Sequence, residues 1–195
     1  MRKIEFDDVL NIAEYEKIRS ESRKKIIGIK NKRRISVGPL ITYLFENFDT
    51  MLYQIQEMMR AERLVYEKDI AQEIEIYNEL VPGLNELTAS LLIEIDNRQT
   101  RNELLPKLVG LPGNTFITIN SNKILAEFDP RQGSPERLSS VQYVKFKIPT
   151  EDVQKFNDKN SHIILSFTHK NYSYDYELKP EEKSIFYKDL TTKER

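Results

Sequence analysis

Two glutamates at helical spacing are the strongest candidates for chemistry in this sequence. In residues 49–64, apolar side chains recur at steps of three and four, and this stripe reaches Glu62. In residues 67–80, Glu73 follows one apolar stripe residue by three positions and precedes the next by four. We therefore expect both carboxylates to point toward buried or half-buried surface. There each needs a counter-charge, an ion or a ligand.

Neighbouring polar residues extend these glutamates into a candidate polar site. The full set is Glu57, Arg60, Glu62, Arg63, Glu73, Tyr77, Asn78 and His169. One interpretation is a carboxylate pair that holds a cation or transfers protons, with Glu62 and Glu73 as weak metal candidates. The favoured interpretation is a buried ion-pair network that fixes two helices to a basic segment, because perturbed acids mark functional sites only statistically.

The two histidines set narrow limits on metal chemistry. Lys159 and Ser166 stand three residues before them, so the Glu-x-x-His motif of four-helix di-iron proteins is absent. We expect His169 at a hairpin tip, where it is either a base or ligand or, in the favoured interpretation, a turn residue that bonds local backbone. His162 begins the same strand and is a weaker candidate.

Charge is uneven along the chain although the formal net charge is −1. Residues 23–34 contain seven basic side chains and no acid, whereas residues 51–79 contain seven acids and three bases. We expect the two segments to lie against each other or to face different partners. The basic segment is also a weak candidate for nucleic-acid binding, which the net charge and the lack of a recognition motif disfavour.

Composition excludes several classes of protein. The 195 residues include no cysteine, so disulfides, thiolate metal sites and cysteine nucleophiles are excluded. Neither a signal peptide nor an apolar run of about 18 residues is present, and we therefore expect a cytoplasmic protein. Walker and Gly-x-Ser-x-Gly motifs are also missing, and no cofactor is indicated.

Hydrophobic periodicity predicts an α+β fold in a single domain, residues 1–195. A helix-rich part (1–84) precedes a strand-rich part (85–195), and the strands form an antiparallel β-sheet of two or more hairpins with helices packed on one face. The predicted helices are 7–29, 49–64, 67–80, 98–109 and 180–190. The predicted strands are 33–47, interrupted at Gly38-Pro39, then 87–95, 115–119, 123–128, 141–148, 162–168 and 172–178. Alternating tyrosines in the last strand suit packing beneath the C-terminal helix.

Several short blocks in collinear order resemble one known family. They are residues 33–39, 45–47, 53–63, 73–83 and 140–146, together with His169 and Tyr172. Over nearly the whole chain they resemble the bacterial domain-of-unknown-function family 3501. The resemblance implies a bacterial cytoplasmic protein in a redox or peroxide-stress setting, and it implies no activity. Gln72 and Lys170 depart from the family pattern of histidine and proline, which weakens a metal site and leaves the turn after His169 less fixed.

These observations favour a non-catalytic binding or accessory protein. Its acidic helices and antiparallel sheet are expected to form a polar cleft for a protein partner, with an oxidoreductase as the class that the resemblance suggests. The alternatives are a carboxylate-based metal-binding protein or enzyme that uses the glutamate pair, and a weak nucleic-acid binder. A homo-oligomer is compatible with the sequence, and whether the chain is an enzyme stays open.

Overall fold

Alternating apolar and polar residues form the strands of two antiparallel sheets. The computed structural model describes residues 2–132, 134 and 136–192. The strands are β1 (Arg34–Val37), β2 (Ile41–Phe45), β3 (Glu86–Ile93), β4 (Thr115–Ile119), β5 (Asn122–Leu125), β6 (Glu127–Phe128), β7 (Val141–Lys147), β8 (Ile163–His169) and β9 (Tyr172–Glu177). The five-stranded sheet has the order β1-β2-β3-β7-β6, and the four-stranded sheet has the order β5-β4-β8-β9.

The predicted α+β class with antiparallel hairpins is confirmed, and the strands are divided between the two sheets. The predicted strand 123–128 is interrupted at Ala126, because β5 pairs with β4 whereas β6 pairs with β7 in the other sheet. Alternation indicates which side chains are buried, but it does not specify which sheet a strand joins.

An apolar core fills the space between the sheets. The ring of Tyr43 on β2 stacks on that of Phe167 on β8, with centroids 5.7 Å apart. The predicted apolar row of β3 is buried in this core, because alternate side chains of a strand point to the same face.

Six helices lie in the described part of the chain. They are α1 (Ile12–Asn31), α2 (Phe48–Glu62), α3 (Glu67–Asn78), α4 (Arg98–Leu104), α5 (Thr150–Val153) and α6 (Pro180–Thr191). The predicted start of the first helix at residue 7 is wrong: Phe6–Asp8 forms a separate 3₁₀ turn, and the Asn11 side chain caps α1 by accepting from the Glu14 amide at 3.0 Å. Within the described residues, no helix has the length and apolar character needed to cross a bilayer.

Helices α2 and α3 cover the face of the five-stranded sheet that points away from the inter-sheet core, and α1 packs against α2. The predicted stripe of α2 supplies Met51, Ile55 and Met59 to this second apolar cluster. A direct link to the sheet comes from the Thr88 hydroxyl of β3, which donates to the carbonyl oxygen of Leu80 just after α3 at 2.5 Å.

The C-terminal helix α6 packs at the inter-sheet core. Phe186 of α6 packs on Phe45 of β2, with ring centroids 4.4 Å apart. The buried Asp189 carboxylate accepts two hydrogen bonds from the Arg33 guanidinium, at 2.7 and 2.8 Å. Burial raises the pKa of Asp189, and Arg33 offsets part of that rise. This ion pair joins the residue before β1 to the last helix.

The tyrosines of β9 make different contacts although they share a strand face. The Tyr172 hydroxyl donates to the Val37 carbonyl oxygen at 2.6 Å and accepts from the amides of Ile41 and Leu40 at 3.1 and 3.2 Å, which joins the two sheets. Gly38 has a φ of 73°, and a Cβ there would lie 2.6 Å from this hydroxyl, so the β1–β2 turn requires glycine.

The other two tyrosines meet the packing expectation only in part. The Tyr176 hydroxyl donates to Glu182 of α6 at 2.9 Å, whereas Tyr174 is 43% exposed. The predicted cover by the C-terminal helix therefore applies to Tyr176 and not to the whole row.

Replacing Tyr172 with phenylalanine should destabilise the fold. The change leaves two buried backbone groups and one partly buried one without their partner, so we expect the free energy of unfolding to fall by about 1–3 kcal/mol. The matched change Tyr174→Phe should alter it by less than about 0.5 kcal/mol, because that side chain is exposed. Urea denaturation measures both, and equal effects would contradict the assigned joint between the sheets.

Candidate functional site

The interface between α1 and α2 contains two of the eight predicted site residues. Glu57 accepts two hydrogen bonds from Arg19, both at 2.8 Å, and one from the Tyr15 hydroxyl at 2.7 Å. Arg60 pairs with Glu16 of α1. The hydrogen bonds from Arg19 lower the pKa of Glu57, so the carboxylate is held ionised within the fold. Ion pairs thus join α2 to α1, but their α1 members precede the predicted basic segment.

Two arginines of the basic segment pair with acids outside the acidic segment. Arg33 pairs with α6, as described above, and Arg34 pairs with Glu94 just after β3. Lys30 lies over the ring of Tyr53 on α2, with its ammonium 5.7 Å from the centroid. The basic segment thus meets the acidic segment at Lys30, whereas its two arginine pairs join other parts of the fold.

The expectation that Glu62 and Glu73 both face buried or half-buried surface is wrong for Glu62. Helix α2 ends at Glu62, and Arg63 takes a left-handed conformation with φ of 55°, so the apolar stripe stops and both side chains are exposed. Glu73 is half-buried on α3, where burial and repulsion from Glu62 raise its pKa. No group of three or more histidine, aspartate or glutamate side chains suited to a metal ion occurs among the described residues.

His169 lies on the four-stranded sheet, apart from the helix pair. It is 4% exposed; its Nδ1 accepts from the Asn171 amide at 3.3 Å, and its Nε2 donates to the Val109 carbonyl oxygen at 3.1 Å. This pattern corresponds to a neutral ring with the proton on Nε2. The residue therefore holds local backbone at Asn171, as the favoured interpretation expects, and it also holds the backbone of Val109, which is distant in sequence.

Asn78, at the end of α3, holds the N-terminal segment of the chain. Its side chain accepts from the Ile4 amide at 2.8 Å and donates to the Ile4 carbonyl oxygen at 2.9 Å. Lys3 is thereby placed next to the end of α3, where its ammonium donates to the carbonyl oxygens of Asn78 and Val81, both at 2.7 Å. The predicted site residue Asn78 thus positions a cation that the sequence analysis did not single out.

A groove of about 800 Å³ opens beside this cation. We call it the α3–β7 groove; its walls are the end of α3, strands β6 and β7, and residues 129–132 of the following loop. Its lining includes Lys3, Ile76, Tyr77, Arg131, Tyr143 and Lys145. The volume is within the range of roughly 300–1,000 Å³ that is usual for ligand sites.

One end of the groove holds two neighbouring cations, Lys3 and Lys145. Burial, and then repulsion from Lys145, lower the pKa of Lys3. Lys145 lies 3.4 Å from Glu86, which also accepts from the Gly83 amide at 2.9 Å. Two ammonium groups therefore share one nearby carboxylate at this end.

Two half-buried phenols lie in the same groove. Burial raises the pKa values of Tyr77 and Tyr143, and the negative charge of Glu73 raises that of Tyr77 further. Both hydroxyls therefore remain protonated and can donate hydrogen bonds. Tyr77 is the one predicted site residue that lines the groove.

The outer rim of the groove is closed by ion pairs. Arg131 pairs with Asp129 at 2.7 Å and also with Glu79 of α3, so it connects the loop to the helix. Lys147 pairs with Glu127 at 2.9 Å beside β6. These charges are neutralised locally, in contrast to those of Lys3 and Lys145.

A buried carboxyl that the sequence analysis missed lies near Tyr143. Glu46 is 3% exposed; its Oε1 accepts from the Ser90 hydroxyl at 2.6 Å, and its Oε2 has no partner among the described residues. The Thr50 hydroxyl is near, but it donates to the Asn47 carbonyl oxygen at 3.0 Å. Burial raises the pKa of Glu46 and favours its protonated form.

The sequence carries little signal for these missed groups. Lys3 stands in a polar N-terminal segment with no periodic pattern, and only the tertiary contact with Asn78 explains its position. Thr88 and Lys145 occupy the polar phase of alternating strands, which normally predicts a solvent-facing side. Helices α2 and α3 cover part of that face, so its polar residues become a site wall.

Comparisons with known proteins place the chain in one family. The family model described as "Protein of unknown function (DUF3501)" matches residues 3–190, which confirms the resemblance. A crystal structure of a novel protein of unknown function from Burkholderia pseudomallei K96243 is similar, with a TM-score of 0.90 and 26% identity. The match covers 97% of this chain and 100% of that one. No curated protein matches the chain.

Removing the carboxylate of Glu57 should destabilise the α1–α2 interface. Glu57→Ala deletes the acceptor of three hydrogen bonds, and because the ion pair is partly exposed we expect a loss of about 1–2 kcal/mol. The matched change Glu62→Ala, at an exposed helix end, should cost less than about 0.5 kcal/mol. Equal losses of unfolding free energy in chemical denaturation would contradict the assignment of Glu57 as a structural ion-pair residue and of Glu62 as an exposed one.

The buried carboxyl of Glu46 predicts a specific pH dependence. The native protein keeps this proton to higher pH than the unfolded chain, so its contribution to stability is complete below the unfolded pKa and is lost as the pH rises through the folded pKa. Glu46→Gln removes that titration. Its stability relative to wild type should therefore improve from about pH 4 to about pH 7 in urea denaturation. A constant or falling difference would contradict the raised pKa.

Proposed function

We propose, from the premise that this chain belongs to the DUF3501 family, that it is a non-catalytic accessory protein that binds a partner protein in the α3–β7 groove. The observation that carries the proposal is the lining of this groove. Apolar side chains such as Ile76 and Leu80 lie there beside half-buried phenols, and at one end Lys3 and Lys145 have a single nearby acid, Glu86. Such a surface offers both burial and directed polar contacts to a partner segment.

The apolar part of the groove supports a protein segment as the ligand. Ile76 is 49% exposed on α3, and Phe128 and Pro130 line the opposite side. Covering such side chains removes apolar area from water, which contributes roughly 25 cal/mol for each Å² buried. A segment that places an apolar side chain between α3 and the loop after β6 gains this contribution.

The engagement of the other candidate groups supports binding over turnover. Glu57 and Arg60 are occupied by α1, and both ring nitrogens of His169 hold backbone groups. These residues stabilise the scaffold that carries the groove. The groove itself offers donors and apolar surface, which are the groups that recognition needs.

We also propose the compartment and the class of partner. The bacterial cytoplasm is the proposed location, and an oxidoreductase is the partner class to examine first, since the family resemblance suggests a redox setting. Binding of a second copy of the same chain is the control against which binding of any captured partner is compared. The groove is the proposed contact surface in each case.

An exposed charge inside the groove should abolish partner binding. We expect Ile76→Glu to eliminate capture of a partner from native bacterial extract, because the new carboxylate interrupts the apolar side of the groove. The matched change Val65→Glu, at a 65% exposed position outside the groove lining, should leave capture unchanged. A C-terminal affinity tag keeps Lys3 free, and mass spectrometry identifies the captured protein. Capture that is equal in both variants, or absent in wild type, would contradict the proposal.

A further inference from the structure

We propose that the end of the α3–β7 groove formed by Lys3 and Lys145 is a carboxylate site, and that the partner segment places an acidic side chain between these two lysines. This inference rests on the proposed function and adds the chemistry of recognition. It predicts a segment in which an acidic residue is followed by an apolar one.

The ammonium of Lys3 is already oriented for such a contact. It has three N–H donors, and two of them go to the carbonyl oxygens of Asn78 and Val81 at 2.7 Å. Among the described residues no carboxylate pairs with Lys3, and its side chain lines the groove. The third donor is therefore available to a ligand, and little side-chain freedom remains to be lost on binding.

Charge at this end favours a single negative group. Lys3 and Lys145 carry two positive charges, and Glu86 supplies one negative charge beside Lys145. One carboxylate neutralises the remaining charge and relieves the repulsion between the two ammonium groups. Charge-assisted hydrogen bonds of this kind are among the strong ones in proteins.

The rest of the groove disfavours polyanions. Glu79, Glu127 and Asp129 line its outer part, where they would repel the following phosphates of a nucleic acid. Tyr77 and Tyr143 add neutral donors to the lining, and Ile76 with Phe128 offers an apolar continuation. Together these features fit a lone acidic side chain with an apolar neighbour.

A pair of capped dipeptides tests the inference directly. The probes are N-acetyl-Glu-Phe-amide and N-acetyl-Gln-Phe-amide, titrated into the ¹⁵N-labelled full chain and followed by NMR. We expect the glutamyl probe to shift the amides of Val81, Thr88 and Lys145 and to bind about tenfold more tightly than the glutaminyl probe, because only it carries the charge. Equal affinities, absent binding or shifts confined to other surfaces would overturn the carboxylate site.

Variants of the two cations provide the second arm. Lys3→Gln and Lys145→Gln should each weaken the glutamyl probe about tenfold, whereas Lys147→Gln, on the same strand but paired with Glu127, should leave it unchanged. Because Lys3→Gln also removes contacts to α3, the Lys145 variant keeps the test valid if the first is unstable. Tighter binding of inorganic phosphate than of the glutamyl probe would also overturn the inference.

The outcomes separate this inference from the proposed function. A partner whose capture survives both lysine variants leaves the groove as a docking surface and removes the carboxylate site. A glutamyl probe that binds as expected while no partner is captured supports the carboxylate site and removes the proposed function.

Discussion

The anchoring of Lys3 at the end of α3 is the constraint on which the α3–β7 groove depends. A helix end leaves backbone carbonyl oxygens without partners, and here the Lys3 ammonium satisfies the Asn78 carbonyl and that of Val81 just beyond it. The side chain of Asn78 in turn holds the backbone of Ile4. The N-terminal segment thus completes the end of the helix, and a cation is held in a partly buried position beside a second cation.

The rest of the fold holds the C-terminal end of α3 in position beside the sheet. The inter-sheet core and the Tyr172 joint fix the five-stranded sheet, and the apolar row of α2 fixes the helical layer on its outer face. The buried pair of Arg33 and Asp189 connects β1 to α6. With the scaffold fixed in this way, strands β6 and β7 and helix α3 form stable walls for a groove.

Periodicity made most of the elements predictable, since burial repeats every second residue in strands and every three to four in helices. The stripe of α2 and the alternation of β3 show this directly. The assignment of strands to two sheets was not predictable. It depends on the point between β5 and β6 at which the chain passes from the four-stranded sheet to pair with β7 of the five-stranded sheet. The start of α1 was also missed, because Val9 is extended after the 3₁₀ turn and the helix begins only beyond the cap at Asn11.

The site was predictable only in part. Tyr77 and Asn78 were identified from the helix that carries them, and both contribute to the groove or its support. Glu62 was misjudged because a stripe indicates burial only while the helix continues, and α2 ends there. Lys3 and Lys145 come from distant parts of the chain, so their proximity is a property of the tertiary fold and leaves no local pattern.

Titration of the lysine side chains by NMR tests the central claim most directly. With the ¹³Cε resonances assigned, the account predicts that Lys3 titrates below an ordinary lysine and that Lys145→Gln moves its pKa upward, since burial and the neighbouring ammonium depress it. A Lys3 that titrates at or above the ordinary value, and that does not respond to the loss of Lys145, would contradict an under-neutralised cation pair in the groove.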